Sequence, residues 1–256
     1  MNKHMKLVIS PAKSLDFETS VPTTEFSQGI FLNEAEKLSA VLKKKSPKKL
    51  SELMHISPKL GELNWQRNQD WQLPFSLENA RQAIYAFNGD VYTGLDAYTL
   101  PQEKLAQLQN KVRILSGQYG VLKPLDLMQP YRLEMGTKLK IGSKENLYQF
   151  WDKKVTEALN AELDTDEVFV NLASNEYFKV IDTKLLKVPV ITPVFKDYKG
   201  EKLKIISFFA KKARGLMVRY IIDNNIETVE GLKHFNSEGY MFDSKLSNEK
   251  ELIFTR

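Results

Sequence analysis

Two short stretches place lysines where a phosphate would meet them. Ser46-Pro47-Lys48-Lys49-Leu50 and Ser57-Pro58-Lys59-Leu60 write one pattern twice, 11 residues apart. Serine caps a helix through its hydroxyl, and proline at the first helical position lacks only a donor that the helix would leave unpaired anyway. Each stretch therefore opens a helix with lysine in its first turn, where free N–H groups and the positive dipole end also favour an anion. Lysine does not help a helix at that place, so a phosphate partner is the chemistry it suits. The spacing predicts a short helical hairpin at about 46–67, turning near His55-Ile56. Lys48, Lys49, Ser57 and Lys59 are its candidate phosphate contacts. A second cationic set, Lys211, Lys212, Arg214 and Arg219, falls on a helix predicted from Ala210 to about Asp223, away from the apolar face of Ala213, Leu216, Met217 and Tyr220.

Other spacings point to enzymes less well. Ser10-Pro11-Ala12-Lys13 matches S-x-x-K, in which a lysine activates a serine, but the companion S-x-N and K-T-G motifs are missing. Ser10 reads better as the end of a strand, with Lys13 free to meet an anion. Glu52-x-x-His55 is half of a carboxylate–histidine iron site without its second copy, on a chain with only three histidines (4, 55 and 234). The glycine-rich phosphate loops, the G-x-S-x-G elbow and H-E-x-x-H do not occur. Three polar loops, 116–120, 131–138 and 171–177, have the composition that lines ligand clefts at strand ends. With Ser10 and Lys13 from the end of the first strand, they make Ser10, Ser116, Tyr119, Lys138, Asn171 and Ser174 candidate cleft residues, with Lys13 and Arg132 as cations. Tyr119, Tyr131 and Tyr177 are the rings that would stack on an extruded base. No catalytic residue, metal ligand or cofactor is assigned.

These side chains need a scaffold. Residues 5–10, 83–87, 112–116, 168–172 and 189–194 read as short core strands, and two strand-like pieces lie in 239–254. Tyr198-Lys199-Gly200 reads as a turn between strand-like runs at 190–197 and 202–209. Helical spacing marks 28–44 and 145–162. Strands and helices alternate without a strict βαβ rhythm, and neither a repeat nor a linker divides the chain. The expected fold is mixed α/β (α+β), one domain over 5–256 with a central mixed sheet and flanking helices. Met5 is a candidate natural start, with 1–4 as an N-terminal extension.

Composition narrows the function. With 42% hydrophobic and 27% charged residues, the 256-residue chain folds around a substantial core. Its longest near-apolar run, Ile205–Ala210, falls far short of the roughly 18 residues of a membrane span. The short N-terminal run Leu7-Val8-Ile9 is no signal-peptide core, so a cytoplasmic protein without membrane partners is expected. Zero cysteines exclude disulfides, thiolate metal sites and thiol redox chemistry. The net charge of +5 is uneven: residues 37–59 and 196–219 each sum to +6, leaving −7 for the other 209. A solvated lysine face explains one such run. Two runs gathered by the fold would make a surface that tracks phosphates.

Five stretches carry a family resemblance: Ile9-Ser10-Pro11-Ala12-Lys13-Ser14-Leu15-Asp16, Ser116-Gly117-Gln118-Tyr119-Gly120, Tyr131-Arg132-Leu133-Glu134-Met135-Gly136, Asn171-Leu172-Ala173-Ser174-Asn175-Glu176-Tyr177 and Lys211-Lys212-Ala213-Arg214-Gly215. In this order and over essentially the whole chain they resemble the bacterial YaaA family. The resemblance implies a role in peroxide stress resistance and in keeping free iron low, with double-stranded DNA bound through a helix-hairpin-helix and a positively charged cleft. It makes 46–67 the DNA-binding hairpin. One departure stands out, Met54-His55-Ile56-Ser57 where such turns carry hydrophobic–Gly–hydrophobic–Gly. The leading expectation is a double-stranded DNA-binding protein of the peroxide stress response that limits iron-driven damage to DNA. Lys48, Lys49, Ser57 and Lys59 would hold one stretch of backbone, and Lys13, Arg132, Lys211, Lys212, Arg214 and Arg219 would line the cleft. The alternatives are an enzyme acting on a nucleotide, nucleobase or damaged DNA in that cleft, and an iron-binding protein.

Overall fold

The structure, a computed structural model, describes residues 5–256; the extension expected at 1–4, and His4 with it, lies outside them. Eight strands build the main sheet: β1 (Met5–Ile9), β2 (Val112–Ser116), β3 (Gly120–Leu122), β4 (Val168–Leu172), β5 (Val190–Lys199), β6 (Lys202–Lys204), β7 (Met241–Phe242) and β8 (Glu251–Thr255). Their order is β7-β8-β5-β4-β1-β2-β3, with β6 paired to β5. The inner strands β8, β5, β4, β1 and β2 run parallel, and β3, β6 and β7 add antiparallel pairs at the margins. The sequence dictates this arrangement. All residues of β2 and β4 are buried, the continuous apolar pattern of parallel strands covered on both faces. Along β5, buried residues alternate with partly exposed ones.

From β1 the chain crosses to β2 on one side and later returns to β4 on the other. Strand order therefore reverses between β1 and β4, and a crevice opens outside their carboxyl ends. Open α/β sheets bind ligands at such switch points. Ser10 follows β1 and Ser174 follows β4, which places both at the mouth of this crevice.

Seven helices carry or position the candidate residues: α1 (Leu32–Lys43), α2 (Pro47–Met54), α3 (Pro58–Asp70), α4 (Asp90–Leu95), α5 (Leu147–Trp151), α6 (Lys154–Ala161) and α7 (Ser207–Asp223). Where α4 crosses α7 the two backbones touch. A Cβ on Gly215 would lie 1.8 Å from the Val91 carbonyl oxygen, and one on Gly94 would lie 2.2 Å from that of Lys212. Only glycine admits so close an approach. The crossing fixes the α7 cations beside the crevice.

Three expected elements differ. Residues 83–87 form no core strand; Ala83–Ala86 is a helical turn between two-residue strands, and with all four residues buried there is no periodicity to distinguish the two. The helix expected over 145–162 breaks into α5 and α6 at Asp152, whose φ is 43°. The strand expected over 202–209 stops at Lys204, and the helix after it starts at Ser207 rather than Ala210. Phe208 and Phe209 therefore ride on a helix.

The corner where β5, β6 and α7 meet is tied down by Arg256. Its Nε donates to Asp197 at 2.6 Å, and its guanidinium stacks over Tyr240 at 4.4 Å and Phe209 at 4.8 Å. The Tyr240 hydroxyl donates to the same carboxylate at 2.9 Å, so the buried Asp197 is fully partnered. Among the described residues, no helix is long and apolar enough to cross a membrane.

Candidate nucleic-acid interface

The hairpin's two helices start at the two serine–proline pairs. The Ser46 hydroxyl accepts from the Lys49 N–H, and the Ser57 hydroxyl accepts from the Leu60 N–H, each at 3.4 Å. The second helix continues to Asp70, a turn beyond the expected end near Arg67. Gly61 lets α3 lie against α2, since a Cβ there would meet the Pro47 carbonyl oxygen at 2.7 Å. Lys48, Lys49, Ser57 and Lys59 are all exposed. The three lysines enter no ion pair among the described residues. Their ammonium groups are available to a ligand.

His55 closes the turn with φ 52° and ψ 50°, the left-handed conformation that a glycine occupies without strain. The departure from the glycine pattern thus leaves the backbone path open and adds a side chain to it. His55→Gly is expected to raise unfolding stability by roughly 0.5–1 kcal/mol. Urea denaturation of the two proteins checks this.

The crevice at the sheet's switch point is a cleft of about 480 Å³. Ser10 and Lys13 enter it from the segment after β1, Ser174 and Tyr177 from the segment after β4, and Lys211 and Arg214 from α7. The Ser174 N–H donates to the Ser10 hydroxyl oxygen at 2.8 Å, and the two hydroxyls stand 3.3 Å apart, which joins the ends of the two strands. Lys13 meets Glu134 at 2.8 Å, and Arg132 meets the same carboxylate at 3.4 Å. Lys211 and Arg214 sit three residues apart on one helix face and make no ion pair among the described residues. Burial lowers the pKa of Arg214, the expected response of a cation without a counter-charge. Burial likewise pushes the Tyr177 phenol well up, keeping it neutral.

The cleft is not uniformly basic. Its lining also includes Asp90, Glu134 and Glu176, so three carboxylates face three cations. Glu176 accepts from the Gly136 N–H at 2.9 Å, which fixes the 131–138 loop against the end of β4. Asp90 and Asn88 are cleft residues that sequence reasoning missed, since Asn88-Gly89-Asp90 looks like an ordinary turn. Arg67 was also missed. Burial, and then the positive charge of Arg132, lower its pKa. Arg132, Glu134 and Lys13 thus form one charged cluster beside the cleft.

Several expected cleft residues lie elsewhere. Ser116 and Tyr119 are fully buried in the turn between β2 and β3. The Ser116 hydroxyl bonds to Tyr131 at 2.7 Å and accepts from the Tyr119 N–H, while the Tyr119 hydroxyl accepts from Trp71 Nε1 at 3.0 Å. Their polarity serves the core, and neither Tyr119 nor Tyr131 can stack on a base. Asn171 is buried and accepts from the Ala173 N–H at 3.0 Å, shaping the end of β4 from within. Lys138 is exposed on its loop outside the cleft lining. Lys212 pairs with Glu238. Arg219 clasps the 96–99 turn through the Asp96 carbonyl and Thr99 hydroxyl, each at 2.9 Å, and pairs with Asp223. Arg132 pairs with Glu134 and is not among the residues that line the cleft. Among the described residues, no group of three or more His, Asp or Glu side chains is placed to hold a metal ion.

The chain is similar to known proteins over nearly its whole length. The family described as Peroxide stress protein YaaA matches residues 5–246. A UPF0246 protein of Flavobacterium psychrophilum is 67% identical over 252 residues, covering 98% of this chain and all of the relative. A UPF0246 protein of Hahella chejuensis is 54% identical over 254 residues, covering 98% of this chain and 99% of the relative. With sequence shared over nearly the whole of this fold, its hairpin and its switch-point cleft included, the chain belongs to the YaaA (UPF0246) family of peroxide stress proteins.

Proposed function

We propose that this peroxide stress protein binds double-stranded DNA through its phosphate backbone and so limits iron-driven damage to it. One observation carries the reading: Lys48, Lys49 and Lys59 stand exposed and unpaired in the first turns of two serine-capped helices. Three ammonium groups on two adjacent helix starts match a run of phosphates, and the contact carries no sequence information. The family's place in peroxide stress gives the binding a purpose. Each neutralised phosphate releases condensed cations, so bound protein displaces Fe(II) from the surface where peroxide would turn it into a strand-breaking oxidant. No metal ligand in the protein is needed for that.

The test is nicking of supercoiled plasmid by Fe(II) and peroxide. Protein at saturating concentration is expected to cut the nicking rate several-fold, and Lys48→Ala/Lys49→Ala/Lys59→Ala is expected to lose that protection. Equal protection by both proteins, or by neither, contradicts the proposal.

A second reading rests on the shape and mixed charge of the cleft. A cleft of about 480 Å³ is far too small for a duplex but admits one nucleotide. Arg214 supplies a cation for its phosphate, and Asp90 and the Ser10 and Ser174 hydroxyls supply partners for its polar edges. Chemistry on a nucleotide, nucleobase or damaged base would take place there. Thermal shift with nucleoside monophosphates separates this reading from the first, because a duplex-only protein shows no stabilisation.

A further inference from the structure

The corner built from the β5–β6 hairpin and the start of α7 has the makings of a second nucleic-acid surface. Large apolar side chains are normally withdrawn from water, yet Tyr198, Ile205 and Phe208 are each more than half exposed here. Phe209, whose ring lies 5.6 Å from that of Phe208, is also exposed. These side chains are interleaved with cations. Lys196, Lys199, Lys202, Lys204 and Lys211 make no ion pair among the described residues. Of the two acidic side chains in the stretch, Asp197 is buried and committed to Arg256 and Tyr240, leaving only Glu201 at the turn.

This combination selects its occupant. Protein partners are a poor match, because lysine is depleted in protein interfaces and burying five ammonium groups is costly. A polyanion satisfies the charges but ignores the rings unless it also presents flat apolar faces. Unpaired nucleotides present both: bases stack on aromatic side chains while lysines follow the backbone. Position agrees, since Phe208 precedes Lys211 by three residues on α7 and so neighbours it, and Lys211 lines the cleft. A strand that leaves the cleft past Lys211 meets the Phe208 ring next.

We infer that this corner binds single-stranded DNA, with Phe208 as the main stacking ring and Tyr198 as a second, so that the protein prefers duplexes carrying an unpaired tail. The inference rests on the proposed DNA binding and adds the kind of DNA bound. Anisotropy titrations of the full chain with a labelled blunt duplex and the same duplex bearing a thymidine tail test it. Wild type is expected to bind the tailed duplex roughly 5- to 20-fold tighter than the blunt one. Phe208→Ala should remove most of that gain and leave blunt-duplex affinity unchanged, Tyr198→Ala should remove part of it, and Phe208→Tyr, which keeps the ring, should retain it. Both positions are exposed, and a thermal melt confirms that each variant folds. Wild type binding blunt and tailed duplexes equally would overturn the inference alone. Loss of both affinities in Phe208→Ala would do the same. A failure to bind either duplex would remove the DNA-binding reading beneath it. Sedimentation showing a dimer that Phe208→Ala dissociates, or anionic vesicles that Phe208→Ala ceases to bind, with no tail preference in either case, would assign the patch to another partner and overturn the inference.

Discussion

Replacing Lys48, Lys49 and Lys59 together by alanine is expected to weaken duplex binding roughly 100-fold near 0.1 M salt. Each lysine that neutralises a phosphate contributes about 0.9 to the slope of log affinity against log salt, so the variant's slope should be shallower by nearly three. Stability should barely change. The three side chains are exposed and make no ion pair among the described residues, and surface replacements of that kind usually stay within about 0.5 kcal/mol. An affinity loss at constant melting temperature therefore reports on the interface. A loss accompanied by unfolding would instead mean that the hairpin needs its lysines to fold, which nothing in its capping or packing predicts. The helix starts are held by Ser46 and Ser57, and the contact between the helices by Gly61.

Gly215→Ala should have the largest effect on stability. Its methyl group would fall 1.8 Å from the Val91 carbonyl oxygen and 2.8 Å from the Leu95 nitrogen, both backbone atoms that cannot rotate away. Helices α4 and α7 must separate, and overpacking of a tight core contact typically costs about 1–3 kcal/mol, with the upper end expected for a backbone clash. The same separation moves Val91 and Tyr92 away from Lys211 and Arg214 across the cleft. Urea denaturation should show a lower midpoint with an unchanged slope, and any ligand of the cleft should bind more weakly. Exposed replacements on α7, such as Lys211→Ala, should leave the midpoint where it is. The pair thus separates the crossing from the charges it positions.

Local chemistry was legible in the sequence and long-range partnership was not. Ser46-Pro47 and Ser57-Pro58 announce their helices because capping involves residues three apart, and the structure places both helix starts there. The buried runs at 112–116 and 168–172 read as strands because every residue in them is covered. The same run of apolar residues at 205–210 misled, because a helix start and a strand end look alike when no alternation is present. Polar loops misled for a different reason. Ser116 and Tyr119 resemble ligand contacts until Tyr131 and Trp71 arrive to satisfy them. In the same way, the lysine runs are visible as local charge and the carboxylates opposite them are not. Asp90 and Glu134 come from other parts of the chain, and only the fold brings them opposite Lys211 and Arg214 to give the cleft its mixed charge.

The hairpin and the mixed cleft differ in what each could hold. Exposed lysines on the hairpin suit a long, uniform polyanion, and a small cleft with both signs of charge suits a single nucleotide-sized group.

The measurement that tests this account most directly is the affinity of the wild-type protein for a duplex of arbitrary sequence over a series of salt concentrations. With the three hairpin lysines engaged, log affinity should fall linearly against log salt with a slope of about 3, and a second duplex of unrelated sequence should give the same line. No detectable binding, or a slope below about 1, would contradict it.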